Sequence, residues 1–366
     1  MASLVIQSIH CYPFLLPLAQ PVTGRGQEHI CREGLVVHII SDRGCMGFGE
    51  IAPLPGVSSE LLKKAVHQAE TLARELKNAP VPVDGPHLLE WLTRRFSGGE
   101  ICPSVKFGFE AALTAMAADT HNLSVAAFLG TDVAQEASSA GFLHGSSTDI
   151  VRQARFLSAK GYTTFQLKVG SRNIPLDIQR VESLRQVIGP EGKLRLDAEG
   201  GWRLDEAIVF AENTGMDRIE YLQDPVANFL QIEQFTRRTA MPVALGLSGT
   251  QRPLEELGGL VGLTHVIACP MLMNGISGHM KLLDTAKDLG LHVIVEGLFE
   301  SGIGMTALAN LASMTPATAN LGTANWFDGD LLLRPVLVDA GRIPKDRLHI
   351  VTKFFTPSLT GRLKAV

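Results

Sequence analysis

The chain has 366 residues, of which 45% are hydrophobic and 19% charged, a balance typical of a folded globular protein. Its 33 Lys and Arg residues against 37 Asp and Glu residues give a net charge of −4, without long blocks of either sign. The sequence therefore lacks the basic surface that nucleic-acid binding requires. No apolar run approaches the ~20 residues that span a bilayer, so no membrane insertion is expected.

The five cysteines are scattered, without the CxxC spacing of zinc or redox sites: Cys11, Cys31, Cys45, Cys102 and Cys269. This distribution argues against a disulfide framework and favours a reducing compartment. The first residues lack a basic segment followed by an apolar one, so no export signal is expected. We expect a cytoplasmic protein.

The first 129 residues mix two patterns. Alternating apolar residues at 4–12 and 34–40, followed by turn residues at 41–44, predict antiparallel strands. Helical spacing of apolar residues then predicts helices around 61–76 and 107–115. The pattern predicts an α+β domain.

From about residue 138 a strand–helix unit repeats roughly every 25 to 30 residues. The predicted strands are 140–143, 162–169, 193–198, 218–223, 242–245, 265–268, 292–295 and 319–321. Strict alternation of strand and helix requires parallel strands, and eight units close into a (β/α)₈-type barrel. An open doubly wound sheet is the alternative, but residues 143–147 are a poor match to its glycine-rich turn.

Reacting groups of such barrels lie where the strands end. Alternation along the second strand directs Gln166 and Lys168 to the inside. A lysine in a barrel mouth serves an anion or a proton transfer, unless its stem packs on the core and its head stays in water.

The third strand places Arg195, Asp197 and Glu199 on one face. Carboxylate oxygens are the ligands that Mg²⁺ prefers, so this face is a candidate metal site. The alternative is an arginine–carboxylate network that supports the barrel rim.

These residues carry a resemblance to a known superfamily. The third strand resembles the RxDxN metal-ligand strand of the enolase superfamily, with Glu199 in place of Asn, and Lys168 resembles the second lysine of its KxK motif. Four further segments are similar to o-succinylbenzoate synthases: GFGEIAPL at 47–54, SVKFGFEAAL at 104–113, FESGIG at 299–304 and LGTANW at 321–326.

The resemblance implies an α/β protein with three parts. Residues 1–129 would form an α+β capping domain, residues 130–324 a modified (β/α)₇β barrel of the TIM type, and residues 325–366 a segment returning to the cap. The implied reaction is Mg²⁺-assisted loss of water from a cyclohexadiene carboxylate, giving o-succinylbenzoate on the menaquinone pathway. Lys168 would remove the proton α to the substrate carboxylate.

Several positions depart from the family pattern. The fourth strand has Gln223 where the family has a glutamate ligand, followed by Asp224, which alternation directs to the other face unless the strand end twists. Gly246 replaces the third ligand on the fifth strand. Cys269 replaces the second catalytic lysine on the sixth. The loss of several charges predicts impaired chemistry, because a single electrostatic donor is commonly worth ~3–4 kcal/mol.

Other residues offer replacements. Asp197, Glu199 and Gln223, with Asp224 as a further candidate, define a rearranged Mg²⁺ site. Glu296 either adds a carboxylate or pairs with Lys168, and Cys269 is either a nucleophile or a buried, inert thiol.

Four residues are candidates for contact with the substrate: Arg25, Arg195, Glu296 and Ser301. Arg25 lies in a segment that resembles the superfamily's loop over the substrate, although a solvated arginine is equally compatible. Ser301 precedes a helix whose first N–H groups face anions, and Arg195 completes the set.

Three functions stay open at this point. The first is a carbon–oxygen lyase of the o-succinylbenzoate synthase family with impaired or altered metal chemistry. The second is an inactive or metal-independent paralogue that binds a small carboxylate. The third is a racemase or epimerase on the same scaffold. Fold alone does not decide among them.

Overall fold

The computed structural model describes residues 3–24, 27–97, 100–130, 134, 136–249, 253–273 and 275–348. The first part of the chain forms a four-stranded antiparallel sheet, in the order β3-β2-β1-β4, packed against helices. Its elements are β1 (Ser3–Gly24), β2 (Gln27–Ser41), β3 (Met46–Ile51), α1 (Leu62–Leu76), β4 (Pro80–Pro82), α2 (Gly85–Arg95), α3 (Pro103–Asp119) and α4 (Val125–Leu129).

Strand β3 and helix α3 of this capping domain are in close backbone contact. A Cβ atom added at Gly49 would lie 1.9 Å from the carbonyl oxygen of Gly108, and one at Gly47 would lie 1.8 Å from that of Ala112. Only glycine fits at both strand positions, so the glycines at 47 and 49 allow the helix to lie directly on the sheet.

The second part is a seven-stranded parallel sheet in the order β12-β11-β10-β9-β8-β7-β6, with helices between the strands. Its elements are β5 (Glu136–Ser138), β6 (Gly141–Leu143), α5 (Ser147–Ala159), β7 (Thr164–Lys168), α6 (Ile174–Arg185), β8 (Lys193–Asp197), α7 (Leu204–Thr214), β9 (Ile219–Gln223), α8 (Ile232–Thr239), β10 (Val243–Gly246), α9 (Leu254–Leu257), β11 (Leu263–Ala268), α10 (Gly275–Asp288), β12 (His292–Val295) and α11 (Gly302–Ala312). Strand β13 (Arg342–Pro344) pairs antiparallel with β5.

The eighth predicted strand, 319–321, closes the barrel without forming a ladder. Ala319 makes a parallel bridge to Ser139, and Asn320 makes one to Glu296. The backbone bonds alternate between the two sides: Ala319 N donates to Ser138 O, and Asn320 N donates to Val295 O, both at 2.8 Å. Only one residue of the segment pairs with each neighbouring strand. The segment therefore forms two isolated bridges and not a full strand.

The inside of the barrel follows the predicted alternation. In β7, Phe165 and Leu167 are fully buried in the layer between strands and helices, whereas Gln166 and Lys168 line the interior. In the lower part of the barrel, Tyr221, Ala244, Ile267 and Ile294 form a small apolar cluster. The next inward residue on each of those strands lies two positions later, at the barrel mouth.

The segment after residue 324 contacts both parts of the fold. Phe327 makes an antiparallel bridge to Leu18 of β1, and Asn310 of α11 donates to Leu348 O at 2.9 Å. Within the described ranges, no helix has the length and apolar character needed to cross a membrane.

Candidate active site

A cavity of about 900 Å³ lies at the carboxyl ends of the barrel strands. Pro21 and Val22 of β1, and Leu54 and Val57 after β3, line it from the capping domain. The remaining lining comes from the barrel and, at Trp326, from the segment after residue 324, so both domains enclose the cavity.

The last inward residues of six successive strands form the floor of the cavity. They are Lys168, Asp197, Gln223, Gly246, Cys269 and Glu296. This set contains the strand-end positions predicted from the sequence, now at one site. Glu199 and Asp224 also line the cavity, which therefore holds four carboxyl groups and one lysine within the described part of the chain.

Lys168 forms an ion pair with Glu199, whose carboxylate accepts a hydrogen bond from Nζ. Burial lowers the pKa of Lys168. The carboxylates of Glu199 and Asp197 raise it by more, so the pKa of Lys168 lies above its usual value. The structure corrects the expectation that Glu296 pairs with Lys168. Glu296 instead accepts from Gln166 Nε2 at 3.0 Å and from Asn320 Nδ2 at 3.3 Å.

Asp197 is the deepest charged residue of the site. It is 5% exposed, and its Oδ1 accepts from the backbone N–H of Glu199 at 3.0 Å. Burial and the nearby Glu296 hold the pKa of Asp197 well above its usual range, and burial raises the pKa of Glu296 as well. Among the described lining residues, the cavity has more carboxyl groups than cationic side chains.

Asp224 reaches the cavity because its backbone is left-handed, with φ of 43°. Simple alternation places this side chain on the other face, but the left-handed residue turns it inward. Its carboxylate accepts from Gly246 N at 3.1 and 3.2 Å and from Gln223 Nε2 at 3.3 Å. Glu199 also has a left-handed backbone, with φ of 47°, at the end of the neighbouring strand β8.

Gln223 has an unused acceptor. Its side chain is 6% exposed, and Oε1 has no hydrogen-bond partner within the described part of the structure. A buried amide oxygen without a hydrogen-bond partner is costly unless a ligand binds it.

The side chains at the predicted metal-ligand positions therefore differ in chemical type from the family pattern. No group of three His, Cys, Asp or Glu side chains in the described ranges is arranged to hold a metal ion. The donors that fit a hard divalent cation are the carboxylates of Asp197 and Asp224 together with the free amide oxygen of Gln223, because Mg²⁺ prefers oxygen ligands of these kinds.

Cys269 lies on the floor as a buried thiol. It is 4% exposed, and burial together with Glu300 and Glu296 raises the pKa of its thiol well above the usual value. The thiol is neutral, which favours the inert cysteine over the nucleophile. The five cysteines are all free.

An aromatic wall faces the acidic floor. It consists of Phe142, His144, Phe299 and Trp326, all of which line the cavity. The Trp326 ring lies 4.3 Å from His144 and 5.4 Å from Phe142, and Phe299 meets it edge-on at 5.6 Å between centroids. This wall was not predicted from the sequence, because its residues come from three separate segments.

Arg195 and Ser301 do not line the cavity. Arg195 lies one inward layer below Asp197, where it pairs with Glu220 and donates to Thr318 O at 2.7 Å and to Asn320 Oδ1 at 2.8 Å. Ser301 begins helix α11 and donates to Glu50 of the capping domain. Both side chains are hydrogen-bonded to other protein groups, so neither is free to bind a substrate. Arg25 lies outside the described residues.

Asn320 is a site residue that sequence analysis passed over. Its amide links Arg195 in the lower layer to Glu296 on the floor, and it lines the cavity. It lies within the predicted eighth strand, 319–321, so applying the rule that strand ends carry function to this strand as well would have found it.

A capped parallel barrel with acidic groups and a lysine at its strand ends defines the class of this protein. Residues 149–349 match the family model described as enolase C-terminal domain-like, and residues 6–116 match the model described as MenC, N-terminal domain. Since the first match covers more than half of the sequence, the chain belongs to the enolase C-terminal domain-like family. The predicted fold and superfamily are confirmed.

The relatives include o-succinylbenzoate synthases. The o-succinylbenzoate synthase of Haemophilus influenzae is 28% identical over 336 residues, which cover 89% of this chain and 92% of that protein. Protein PHYLLO, chloroplastic, of Arabidopsis thaliana is 25% identical over 342 residues, 82% of this chain. The chain spans 20%, about a fifth, of the length of that relative.

Solved structures share the fold. The dipeptide epimerase from Enterococcus faecalis V583, complexed with Mg and the dipeptide L-Leu-L-Tyr, has a TM-score of 0.83 and 20% identity, covering 93% of this chain and 97% of that one. The L-Ala-D/L-Glu epimerase from Bacillus subtilis has a TM-score of 0.81 and 23% identity, covering 93% and 96%. At these identities the likeness concerns the fold alone.

Proposed function

We propose that the protein is a carbon–oxygen lyase of the o-succinylbenzoate synthase type, acting on a cyclohexadiene carboxylate on the menaquinone pathway. The observation that carries this proposal is the position of Lys168. It ends β7 beside Asp197 of β8, at the floor of a cavity that both domains enclose. The likeness to o-succinylbenzoate synthases over most of the chain supports the choice of substrate.

The elimination needs one base. The neutral amine of Lys168 takes the proton α to the carboxylate, and the electrons of that C–H bond form the new ring double bond while the C–O bond breaks. The departing hydroxide receives the proton back from Lys168 and leaves as water. The reaction starts from the amine, whereas Glu199 and Asp197 raise the pKa of Lys168, so the ammonium must first lose its proton to solvent, which predicts slow turnover.

A racemase is less well supported because it needs a second group on the opposite face of the substrate. The position opposite is Cys269, whose neutral, buried thiol is a poor base. The aromatic wall also favours the lyase, because a ring that becomes aromatic during the reaction packs against aromatic side chains.

A divalent cation fits this proposal. Asp197, Gln223 and Asp224 would hold it, and when bound it would stabilise the negative charge that develops on the substrate carboxylate. The excess of carboxyl groups over cationic side chains in the described cavity lining is consistent with such a ligand.

The test is conversion of the cyclohexadiene precursor to o-succinylbenzoate, followed by ultraviolet absorbance with Mg²⁺ and after chelation. We expect slow turnover that requires Mg²⁺. A folded sample without turnover would overturn the proposal. Solvent deuterium incorporated into N-acyl amino acids would favour the racemase, and binding of o-succinylbenzoate without turnover would favour the carboxylate-binding paralogue.

A further inference from the structure

Arg32 of strand β2 is a buried arginine behind the residues that line the cavity. It is 2% exposed, and the described lining does not include it. Its three nitrogen atoms each donate to a backbone carbonyl oxygen: Nε to Phe299 O at 3.1 Å, Nη1 to Pro53 O at 3.3 Å, and Nη2 to Ala52 O. Ala52 and Pro53 belong to the capping domain and Phe299 to the barrel, so one guanidinium joins both domains at the edge of the cavity.

The first of the two bonded segments leads directly into the cavity lining. Leu54 and Val57, which follow Pro53, both line the cavity. They belong to one turn, 54–58, because the N–H groups of Val57 and Ser58 donate to Leu54 O at 3.1 and 2.8 Å. The turn is closed further by Leu54 N, which donates to Ser58 Oγ at 2.9 Å. Fixing the carbonyl groups of Ala52 and Pro53 therefore fixes the side of the cavity that this turn supplies.

The second bonded segment carries a ring of the aromatic wall. Phe299 lines the cavity, and its backbone is left-handed, with φ of 58°. A bulky residue in this conformation is strained and persists only where neighbouring groups hold it. Arg32 is such a group, because its Nε bond fixes the carbonyl oxygen of Phe299. A return of φ to negative values would rotate the Cα–Cβ bond and move the ring from its edge-on contact with Trp326.

The attachment of both segments requires an arginine. The guanidinium presents its N–H donors in a rigid planar fork, so it reaches carbonyl groups of two segments at once. A lysine at position 32 would keep the positive charge but offer one nitrogen atom in place of three. Arg32→Lys therefore separates the geometry of the fork from its charge.

We propose that Arg32 is a positioning residue that holds the turn 54–58 and Phe299 together as one rigid edge of the cavity, and that this edge sets the affinity of the site for its substrate. Arg32 acts through these residues and takes no part in the chemical step at Lys168. The inference deepens the proposed function and rests on it for the identity of the substrate, but the rigidity of the edge is measured without turnover.

The first experiment compares Arg32→Lys with the parent chain in the conversion of the cyclohexadiene precursor to o-succinylbenzoate. We expect KM to rise by about tenfold and kcat to stay within about threefold, because the variant loosens contacts with the substrate and leaves the reacting groups in place. A KM equal to that of the parent chain, or a loss confined to kcat, would overturn the inference.

Arg185→Lys is the matched control. Arg185 is also a buried arginine that donates to backbone carbonyl groups, those of Asp217 and Thr214, but it lies on helix α6, away from the described cavity lining. We expect this variant to lose stability while its KM stays at the value of the parent chain. An equal rise of KM in both variants would show that general destabilisation, and not the position of the cavity edge, causes the effect.

The second experiment is amide hydrogen exchange of the full-length protein without substrate. We expect Arg32→Lys to exchange about tenfold faster than the parent chain in the peptides that cover 54–58 and 297–301, and Arg185→Lys to exchange there at the parent rate. Unchanged exchange of Arg32→Lys in either peptide would overturn the inference. A parent chain without turnover would remove the proposed function, and the exchange result would then decide the inference by itself.

Phe299→Gly covers the case in which Arg32→Lys does not fold. This variant keeps the carbonyl group that Arg32 binds and suits the left-handed backbone, but it removes the ring. We expect KM to rise by about tenfold, or, where turnover is absent, the dissociation constant of o-succinylbenzoate measured by tryptophan fluorescence to rise by that factor. Values equal to those of the parent chain would contradict the role of the cavity edge.

Discussion

The carboxylate of Glu110 in α3 accepts two hydrogen bonds from Ser277 in the first turn of α10, each at 2.7 Å, one from N and one from Oγ. A second carboxylate of the capping domain does the same at another barrel helix. Glu50 accepts from the backbone N–H groups of Ser301 and Gly304 at the start of α11, at 3.1 and 3.0 Å. Both joints place a buried carboxyl group at the positive end of a helix.

Loss of the Ser277 hydroxyl is expected to weaken the joint between the domains. Ser277→Ala leaves one oxygen of the buried Glu110 without its donor, so we expect a loss of about 1–3 kcal/mol in the free energy of unfolding, measured by urea denaturation. Ser158→Ala is the control, because the Ser158 hydroxyl has no partner among the described residues. Equal stability of the two variants would contradict the role of this bond.

Glu300 makes stability depend on pH. Burial and the adjacent Glu50 raise its pKa from 4.5 to about 8, against the opposing effects of Leu298 N–H and Arg32. Below pH 4.5 the group is protonated in both states. Between pH 4.5 and 8 the unfolded chain releases the proton and the folded chain keeps it, so the free energy of unfolding falls as the pH rises through this window.

Glu300→Gln removes this dependence. We expect the variant to be more stable than the parent chain at pH 9, by on the order of 5 kcal/mol, and the gain to vanish at pH 4. Urea denaturation at the two pH values measures it, with the exposed Glu33→Gln as control. A constant difference at both pH values would show that packing, and not protonation, causes the effect.

Lys168→Ala tests the base. A general base typically contributes 10² to 10⁴ in rate, so we expect turnover of the cyclohexadiene carboxylate to fall by about that factor. Lys160→Ala is the matched control, because Lys160 lies near Asp339 and Phe156, outside the cavity. If Lys168→Ala keeps the activity of the parent chain, the assigned base is wrong.

Cys269→Ala separates the lyase from the racemase. A neutral thiol supplies no base, so the lyase is expected to keep nearly all of its turnover in this variant. A two-base racemase would lose activity by about 10² or more. The elimination assay and the deuterium-exchange assay, run on the same preparation, measure both outcomes.

Gly49→Ala is expected to destabilise the capping domain. The new methyl group meets Gly108 O at 1.9 Å, and forcing strand and helix apart typically costs about 1–3 kcal/mol or more. Thermal unfolding is the measurement. Gly259→Ala, which places a methyl group in open space, serves as reference and should unfold at the temperature of the parent chain.

The sequence was sufficient for the barrel and for part of the floor of the cavity. Period-two alternation placed Lys168 and Asp197 inside because strand geometry fixes the direction of successive side chains. It did not separate inward layers, so Arg195 was expected beside Asp197 and lies below it, bound to Glu220.

Alternation also fails where a strand ends. Asp224 and Glu199 have left-handed backbones. Because neither residue is a glycine, the sequence does not predict this conformation. The bonds that hold Asp224 come from Ala244 and Gly200, residues far from it in the chain. A local pattern carries no information about such contacts, so the inward turn of Asp224 required the structure.

The barrel has one line of closure with few hydrogen bonds. Between β12 and β6, the pair of bridges at Ala319 and Asn320 replaces the ladder that joins every other neighbouring pair of barrel strands described. Local opening costs least where backbone pairing is sparse, so we expect this line to be among the first places at which the barrel opens. Glu296 and Asn320 lie on it and also line the cavity, so the same fluctuations that part the barrel wall change the shape of the site.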